Sequence, residues 1–582
     1  MKRSLLASPG VLLCAAIALT VSQQVAFAQN GAKAKDKAAK IQEYLTTAHK
    51  YRLFNGTALV AENGKVIYKS GFGMANMEWS IRNTPDTKFR LGSITKQFTA
   101  MLILQLVDQG KVKLDGKISD YLPEYRKDIG EKVTVHQLLT HTSGIPSYTS
   151  QPGFFDNVSR NPYKVADFVT NYTSKDLEFE PGSKYSYNNS GYFLLGAIVE
   201  KITGKSYEQA LKENILDPLG MKNTGYDHHN TLLAKRAAGY AKTENSYDNA
   251  PYLDMSIPYA AGSMYSTVED LYLWDQALYE DKLISAKSKE LMYKPFLQNY
   301  AYGWVVNNAS FKLNDQPVQV IRHGGGINGF NTMIVRFPKE KNLIVILDNT
   351  AQNAGRHSEA ITNILYNQPY EPPKMSIISR LEKTINEKGV AAGIAEYRDL
   401  KAKESAIYDF SEPELNNLGY RLLRGGKLKE SVEVFKLNVE MYPKGFNTYD
   451  SLAEAYEAQN ERELAVTNYK KSLELNPQNT SATEALKRIE KGPVTVDAKV
   501  FDTYVGEYEL APSFVLRVFR EGDKFMTQAT NQPAFEIFPE SDTTFAPRAF
   551  PAKLTFVKDA DGKITSVRLN QGGRETTGKK IK

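Results

Sequence analysis

The stretch that most limits the fold of this chain runs Phe98-Thr99-Ala100-Met101-Leu102-Ile103-Leu104-Gln105-Leu106-Val107. Wound as a helix it shows apolar side chains on almost every side, and such a helix has to be enclosed by other elements. Asp108, Gln109 and Gly110 end it. Its entry, Phe89-Arg90-Leu91-Gly92-Ser93-Ile94-Thr95-Lys96-Gln97, carries a serine and a lysine three positions apart. Positions i and i+3 share a helix face, so the Lys96 amine can lie beside the Ser93 hydroxyl. A serine hydroxyl is a weak nucleophile until a neighbouring base, or an amine whose charge is disfavoured by burial, activates it. Unpaired N–H groups at a helix start would also favour the oxyanion formed when Ser93 attacks a carbonyl. Serine is equally a common N-cap residue, so this pattern alone does not decide between chemistry and capping.

The flanking segments supply a setting. Thr57 to Phe72 reads as two strands around Asn63-Gly64, a strong hairpin signal. Thr134 to Pro146 reads as a short helix closed by a Gly/Pro turn, and its His136 and His141 have no acid, Cys or His at a metal-ligand spacing, which makes them structural. Tyr163 to Tyr172 is helical in pattern. Pro181-Gly182 precedes Tyr185-Ser186-Tyr187-Asn188-Asn189-Ser190-Gly191-Tyr192, a loop that enters an apolar helix from Phe193 to Ile202. Gln319 to Arg322 reads as a strand ending in His323-Gly324-Gly325-Gly326, followed by a turn at Asn328-Gly329 and strands over Thr332 to Phe337 and Leu343 to Leu347. Together these make an antiparallel meander. Consecutive glycines on its edge would let a substrate lie against the backbone.

At 582 residues the chain calls for several domains. Lys2 and Arg3 precede an apolar run from Leu5 to Val21 and then Ala26-Phe27-Ala28, so residues 1–28 read as a secretory signal cleaved after Ala28. The single cysteine, Cys14, would leave with it. The mature chain is thus expected to be secreted or periplasmic, with neither disulfide nor membrane span. A first domain is expected over 29–370. A linker follows at Pro369 to Pro373, and then the texture changes. Pro443 and Pro477 stand 34 residues apart, each closing a helical pair, and the pattern resembles tetratricopeptide repeats over 371–492. Such an array binds a protein or peptide, or packs on a neighbour. The last segment, 493–582, reads as short strands in a small all-β domain. A net charge of +7 with mixed signs throughout gives no argument for nucleic acid.

Taken in order, Ser93-x-x-Lys96, Leu138-Leu139-Thr140-His141-Thr142-Ser143-Gly144, Tyr187-x-Asn189 and His323-Gly324-Gly325 resemble the class C β-lactamase and D,D-peptidase-like serine hydrolases, over about Tyr51 to Pro369. The resemblance implies an α+β fold, an antiparallel sheet flanked by helices, and makes 29–370 the hydrolytic domain. It also implies roles. Ser93 would be acylated, and Lys96 and Tyr187 would share the general-base and proton-shuttle work. Asn189 would position the substrate amide, with His323, Gly325 and Gly326 on the substrate-binding edge and the N–H groups of Ser93 and Gly326 forming the oxyanion hole. A phenol beside two cations would ionise readily enough to serve as base. No metal or cofactor is implied. Tyr247-x-Asn249 and Lys69-Ser70-Gly71 mimic family motifs but lack the right surroundings. The departure is His323, where β-lactamases proper carry Lys, and it favours a peptidase or esterase acting on D-amino-acid peptides, esters or amides. Two other readings stay open. One is a penicillin-binding-like scaffold acting only through its repeats, and the other is a true β-lactamase. Neither a Gly-x-Ser-x-Gly elbow nor a His-Glu-x-x-His zinc motif is present.

Overall fold

The computed structural model describes residues 34–582 apart from 152, 244–245, 314, 491–493, 512–513, 548–551 and 572–573. The expected signal segment 1–28 and the expected domain start at Pro493 lie outside the described residues. The chain divides into two compact units, one ending at Pro373 and the other beginning at Lys374.

The first unit is built on a six-stranded antiparallel sheet. Its order is Val305–Leu313, Gln316–Ile327, Phe330–Phe337, Asn342–Asp348, Gly56–Glu62 and Lys65–Phe72. The hairpin at Asn63-Gly64 has both residues at positive φ, +52° and +73°, which suits the twist of the paired strands. That hairpin closes the sheet by pairing Gly56 with Asp348. The interior strand Asn342–Asp348 is buried at every position, and its side chains alternate between two cores. Leu343, Val345 and Leu347 join Phe98, Met101 and Leu102 on one face. Ile344 and Ile346 join Ile41, Leu45 and Ile361 on the other, from the helices at 34–50 and Ala354–Leu365.

The apolar run at Phe98 does become the enclosed helix, Thr95–Asp108, with all its residues from Thr95 to Leu104 buried. Trp274 stacks on Phe98 at 4.3 Å and donates its ring N–H to Gln97 Oε1 at 3.0 Å. Two local expectations change. Ser93 is in a separate 3₁₀ turn, Gly92–Ile94, which leads into the α-helix. The strand expected over Gln319 to Arg322 runs on through the triglycine to Ile327, because Gly324, Gly325 and Gly326 stay in register with Met333, Thr332 and Asn331.

The second unit begins with helices Ile378–Lys388, Val390–Lys403, Glu412–Arg424, Leu428–Met441, Phe446–Ala458, Arg462–Leu475 and Thr480–Glu490. Gly419 lies flat against Phe435, where a β-carbon would come within 2.5 Å of the ring, so this helix pair packs closely. A nine-stranded antiparallel sheet completes the unit. Its two end strands, Phe535–Glu536 and Phe538–Pro539, are separated by Ile537 alone, so the sheet curls round in the manner of a barrel. Phe501, Tyr504, Phe545 and Phe556 fill it. The strand Arg574–Lys580 was not foreseen; its polar run Glu575-Thr576-Thr577-Gly578-Lys579 lacks an apolar face. Among the described residues, no helix is long and apolar enough to cross a membrane.

Candidate active site

Gly92 sets the position of the Ser93 turn. Its φ of +56° is the left-handed region open to glycine, and a β-carbon there would lie 2.9–3.0 Å from the Gly326 backbone. Gly325 is equally constrained, since a β-carbon would fall 1.9 Å from the Leu91 carbonyl oxygen. Thr332 clamps the same carbonyl with a 2.8 Å hydrogen bond. The backbone of the nucleophile turn and the glycine edge of the sheet therefore meet directly. Nothing would meet a β-carbon at Gly326, so that edge opens outward.

Lys96 has no exposed surface. Its Nζ lies 3.1 Å from Ser93 Oγ, 2.8 Å from Asn189 Oδ1 and 2.9 Å from the Ala261 carbonyl oxygen. None of these partners is a carboxylate, and burial drives the Lys96 pKa well below its ordinary 10.5. A neutral amine has two N–H groups and one lone pair. Asn189 Oδ1 and the Ala261 oxygen can only accept, so they take the two N–H groups, and the lone pair is left facing the Ser93 hydroxyl. That is the geometry of a general base on a serine.

Asn189 is held from its far side, with its Nδ2 donating to Thr149 Oγ1 at 3.1 Å and its backbone N–H to Ser147 Oγ at 3.2 Å. Asn188 caps the helix Asn189–Thr203 by accepting from the Gly191 N–H at 2.9 Å, so the helix start fixes both Tyr187 and Asn189. The Tyr187 hydroxyl is close enough to Ser93 for the serine to favour its ionised form slightly. Lys96 Nζ lies 4.9 Å from the Tyr187 ring centre.

The expectation of a phenol acidified by two cations is corrected here. Burial pushes the Tyr187 hydroxyl above its ordinary range, and the nearby Ser93 only partly offsets this; the ring, 38 % exposed, moderates the effect without reversing it. Burial disfavours the charge of both supposed cations: it depresses Lys96 as described, and, reinforced by the Lys96 amine, it pushes His323 down to about 4. Tyr187 therefore carries its proton at rest.

His141 does not contact Ser93. Its ring packs against Tyr187 at 4.2 Å and Tyr300 at 4.4 Å, and its Nδ1 accepts from the Asn188 N–H at 3.0 Å. His136 bonds the Tyr302 hydroxyl at 2.8 Å and packs on Phe296. Of the mimics, Tyr247–Asn249 lies in a two-stranded ladder with Tyr240–Lys242, and Lys69 pairs with Glu269. Sequence reasoning missed Ala261, Thr149 and Tyr300. The small run Ala260-Ala261-Gly262 was the one available sign that backbone comes close to another element there.

Residues 35–367 match the family model described as Beta-lactamase. The chain belongs to that family. Ser93, Lys96, Tyr187, Asn189 and His323 all lie within the matched stretch, and relatives of the chain are named as penicillin-binding proteins. Penicillin-binding protein 4* of Bacillus subtilis (strain 168) is 31 % identical over 369 residues, covering 58 % of this chain and 78 % of that protein. Protein flp of Staphylococcus aureus (strain MW2) is 31 % identical over 304 residues, covering 50 % of this chain and 58 % of that one. The octameric penicillin-binding protein homologue from Pyrococcus abyssi shares the fold, with a TM-score of 0.50 and 20 % identity over 93 % of this chain and 99 % of that one. Residues 490–580 match a domain of unknown function (DUF3471).

Proposed function

We propose that this chain is an exported serine hydrolase that forms an acyl-enzyme on Ser93 and acts on D-amino-acid peptides, esters or amides. The observation that carries the reading is the buried Lys96, whose Nζ lies 3.1 Å from Ser93 Oγ while Asn189 Oδ1 and the Ala261 oxygen stand ready to take the two hydrogens of its neutral form. Lys96 takes the Ser93 proton as Oγ attacks the substrate carbonyl. The N–H groups of Ser93 and Gly326 receive the oxyanion, and Asn189 positions the substrate amide. Tyr187 gives its proton to the departing oxygen or nitrogen and regains one from Lys96. Water then attacks the acyl carbon and loses a proton to the same pair, which returns it to Ser93 Oγ as the acyl C–Oγ bond breaks, releasing the acid and free Ser93. Lys96 is the base and Tyr187 the relay, a division that comes from their opposite pKa shifts.

In this reading residues 29–370 do the chemistry, and the helices between 371 and 492 are tetratricopeptide-like and dock a protein or peptide. The decisive experiment is intact-mass measurement after incubation with a fluorescent penicillin and with a fluorophosphonate. A single adduct is expected, absent in Ser93→Ala. No adduct from either reagent on a folded sample would overturn the proposal. Export is tested separately: the N-terminus of the mature protein is expected at Gln29.

A further inference from the structure

His323 lies beside the Tyr187 ring, 6.4 Å between centres, yet offers the site no free polar atom. It is 5 % exposed, and both ring nitrogens are engaged inside the protein. Nδ1 lies 2.6 Å from the Gly324 carbonyl oxygen, which can only accept, so Nδ1 bears a hydrogen. Nε2 lies 2.9 Å from the Tyr300 hydroxyl. Tyr300 is itself 1 % exposed and wedged against His141, Tyr185 and Tyr187, so it cannot swing aside. Its hydroxyl also reaches Tyr192, which donates its own hydrogen to the Leu139 carbonyl at 2.9 Å. With Nδ1 carrying the one hydrogen of the neutral ring, Nε2 accepts from the Tyr300 hydroxyl and is occupied by it.

Beyond His323 the strand continues as Gly324, Gly325 and Gly326, which supply no side chain. Arg322 alternates to the opposite face of the strand and is exposed there. The Lys96 amine, the basic group acting on His323, further disfavours a positive charge there. The strand edge beside Ser93 thus has backbone groups but neither a cation nor a free side-chain donor of its own.

We infer that Tyr300 is a specificity-determining residue: by engaging His323 it makes the strand-edge subsite neutral, so the site takes acyl substrates with an uncharged leaving group in preference to those whose leaving group ends in a carboxylate. This rests on the hydrolase reading above and narrows it to neutral esters and amides. The low His323 pKa is consistent with it, since the imidazole stays uncharged at neutral pH.

The test uses the full chain and two thioesters of one N-acyl-D-alanine, with thioglycolate or its methyl ester as leaving group. Wild type is expected to show a kcat/KM at least about tenfold higher for the methyl ester. Tyr300→Phe, which frees Nε2, should narrow that ratio at least about threefold, and more so as the pH is lowered toward the range where a released histidine charges. His323→Lys should reverse the ratio. The inference is overturned if wild type turns over the free carboxylate as fast as the methyl ester, or if neither variant moves the ratio. Should Tyr300→Phe fail to fold, the wild-type ratio and His323→Lys still decide. Failure of the underlying reading looks different, with no turnover of either thioester and no fluorophosphonate adduct on a folded sample.

Discussion

Among the described residues of the first unit, Lys96 and Arg336 are the most deeply buried lysine and arginine side chains, and they have opposite surroundings. Arg336 is paired with Asp275, both side chains at most 2 % exposed, and is ringed by Tyr279, Tyr293 and Trp304. Burial alone would lower it, but Tyr293, Asp275 and Tyr279 outweigh that and hold its pKa above the ordinary range. Lys96 is just as deeply buried and meets only an amide oxygen, a carbonyl oxygen and a hydroxyl. Its charge is not compensated, so its proton is easily lost. A buried cation with a carboxylate is part of the framework, whereas one without suits the base role proposed for Lys96.

That contrast can be broken by exchanging what each residue loses. In Lys96→Met, kcat/KM toward a neutral ester is expected to fall by about 10³ or more, roughly 4 kcal/mol of transition-state stabilisation; retention of a tenth of the activity would remove Lys96 as the base. Arg336→Met leaves Asp275 buried without its partner and should cost about 3–5 kcal/mol in urea unfolding. Lys96→Met is expected to move the other way. A lysine depressed in the fold is charged more readily when unfolded, so it destabilises the native state as pH falls from its unfolded pKa toward the folded one. Removing it should leave stability at pH 7 equal to or above wild type, and a loss as large as that of Arg336→Met would erase the distinction.

Tyr187→Phe should lower kcat/KM by about 10² through loss of the relay. The smallest effect is also the most discriminating. The kcat/KM of wild type should rise with pH as Lys96 loses its proton and level off well below pH 10.5, because only the neutral amine can accept from Ser93. Tyr187→Phe should keep that limb unchanged in position. A limb that shifts with Tyr187 would return the base role to the phenol.

The sequence was most legible where function is written as local spacing. Ser93 and Lys96 share one turn, Tyr187 and Asn189 one loop, and the order of these motifs brought His323 with them. The 34-residue interval between Pro443 and Pro477 likewise marked a helical region, and the pairs Glu412–Arg424 with Leu428–Met441 and Phe446–Ala458 with Arg462–Leu475 occupy it. Partners contributed across the fold left no such trace. The Ala261 oxygen is a backbone atom 165 positions from Lys96, and no side-chain pattern announces it. Tyr300 and His323 are close in sequence, but nothing in the spacing shows that a hydroxyl would occupy Nε2. The acidified Tyr187 was inferred from cations that burial neutralises, and burial is a property of the assembled core rather than of any motif.

The strand that closes the sheet sets when all this comes into being. Asn55 donates its N–H to Asp348, 293 positions later, where Gly56 pairs with that same residue. A contact so distant along the chain forms late, since a long loop has to be closed before the contact repays it. As the polypeptide emerges, Ser93 and Lys96 are made early, but the Ala261 carbonyl and the Gly325 edge do not yet exist. The nascent serine is therefore chemically ordinary, and on the proposed reading it gains its reactivity only once the last strand of the meander has joined the first hairpin.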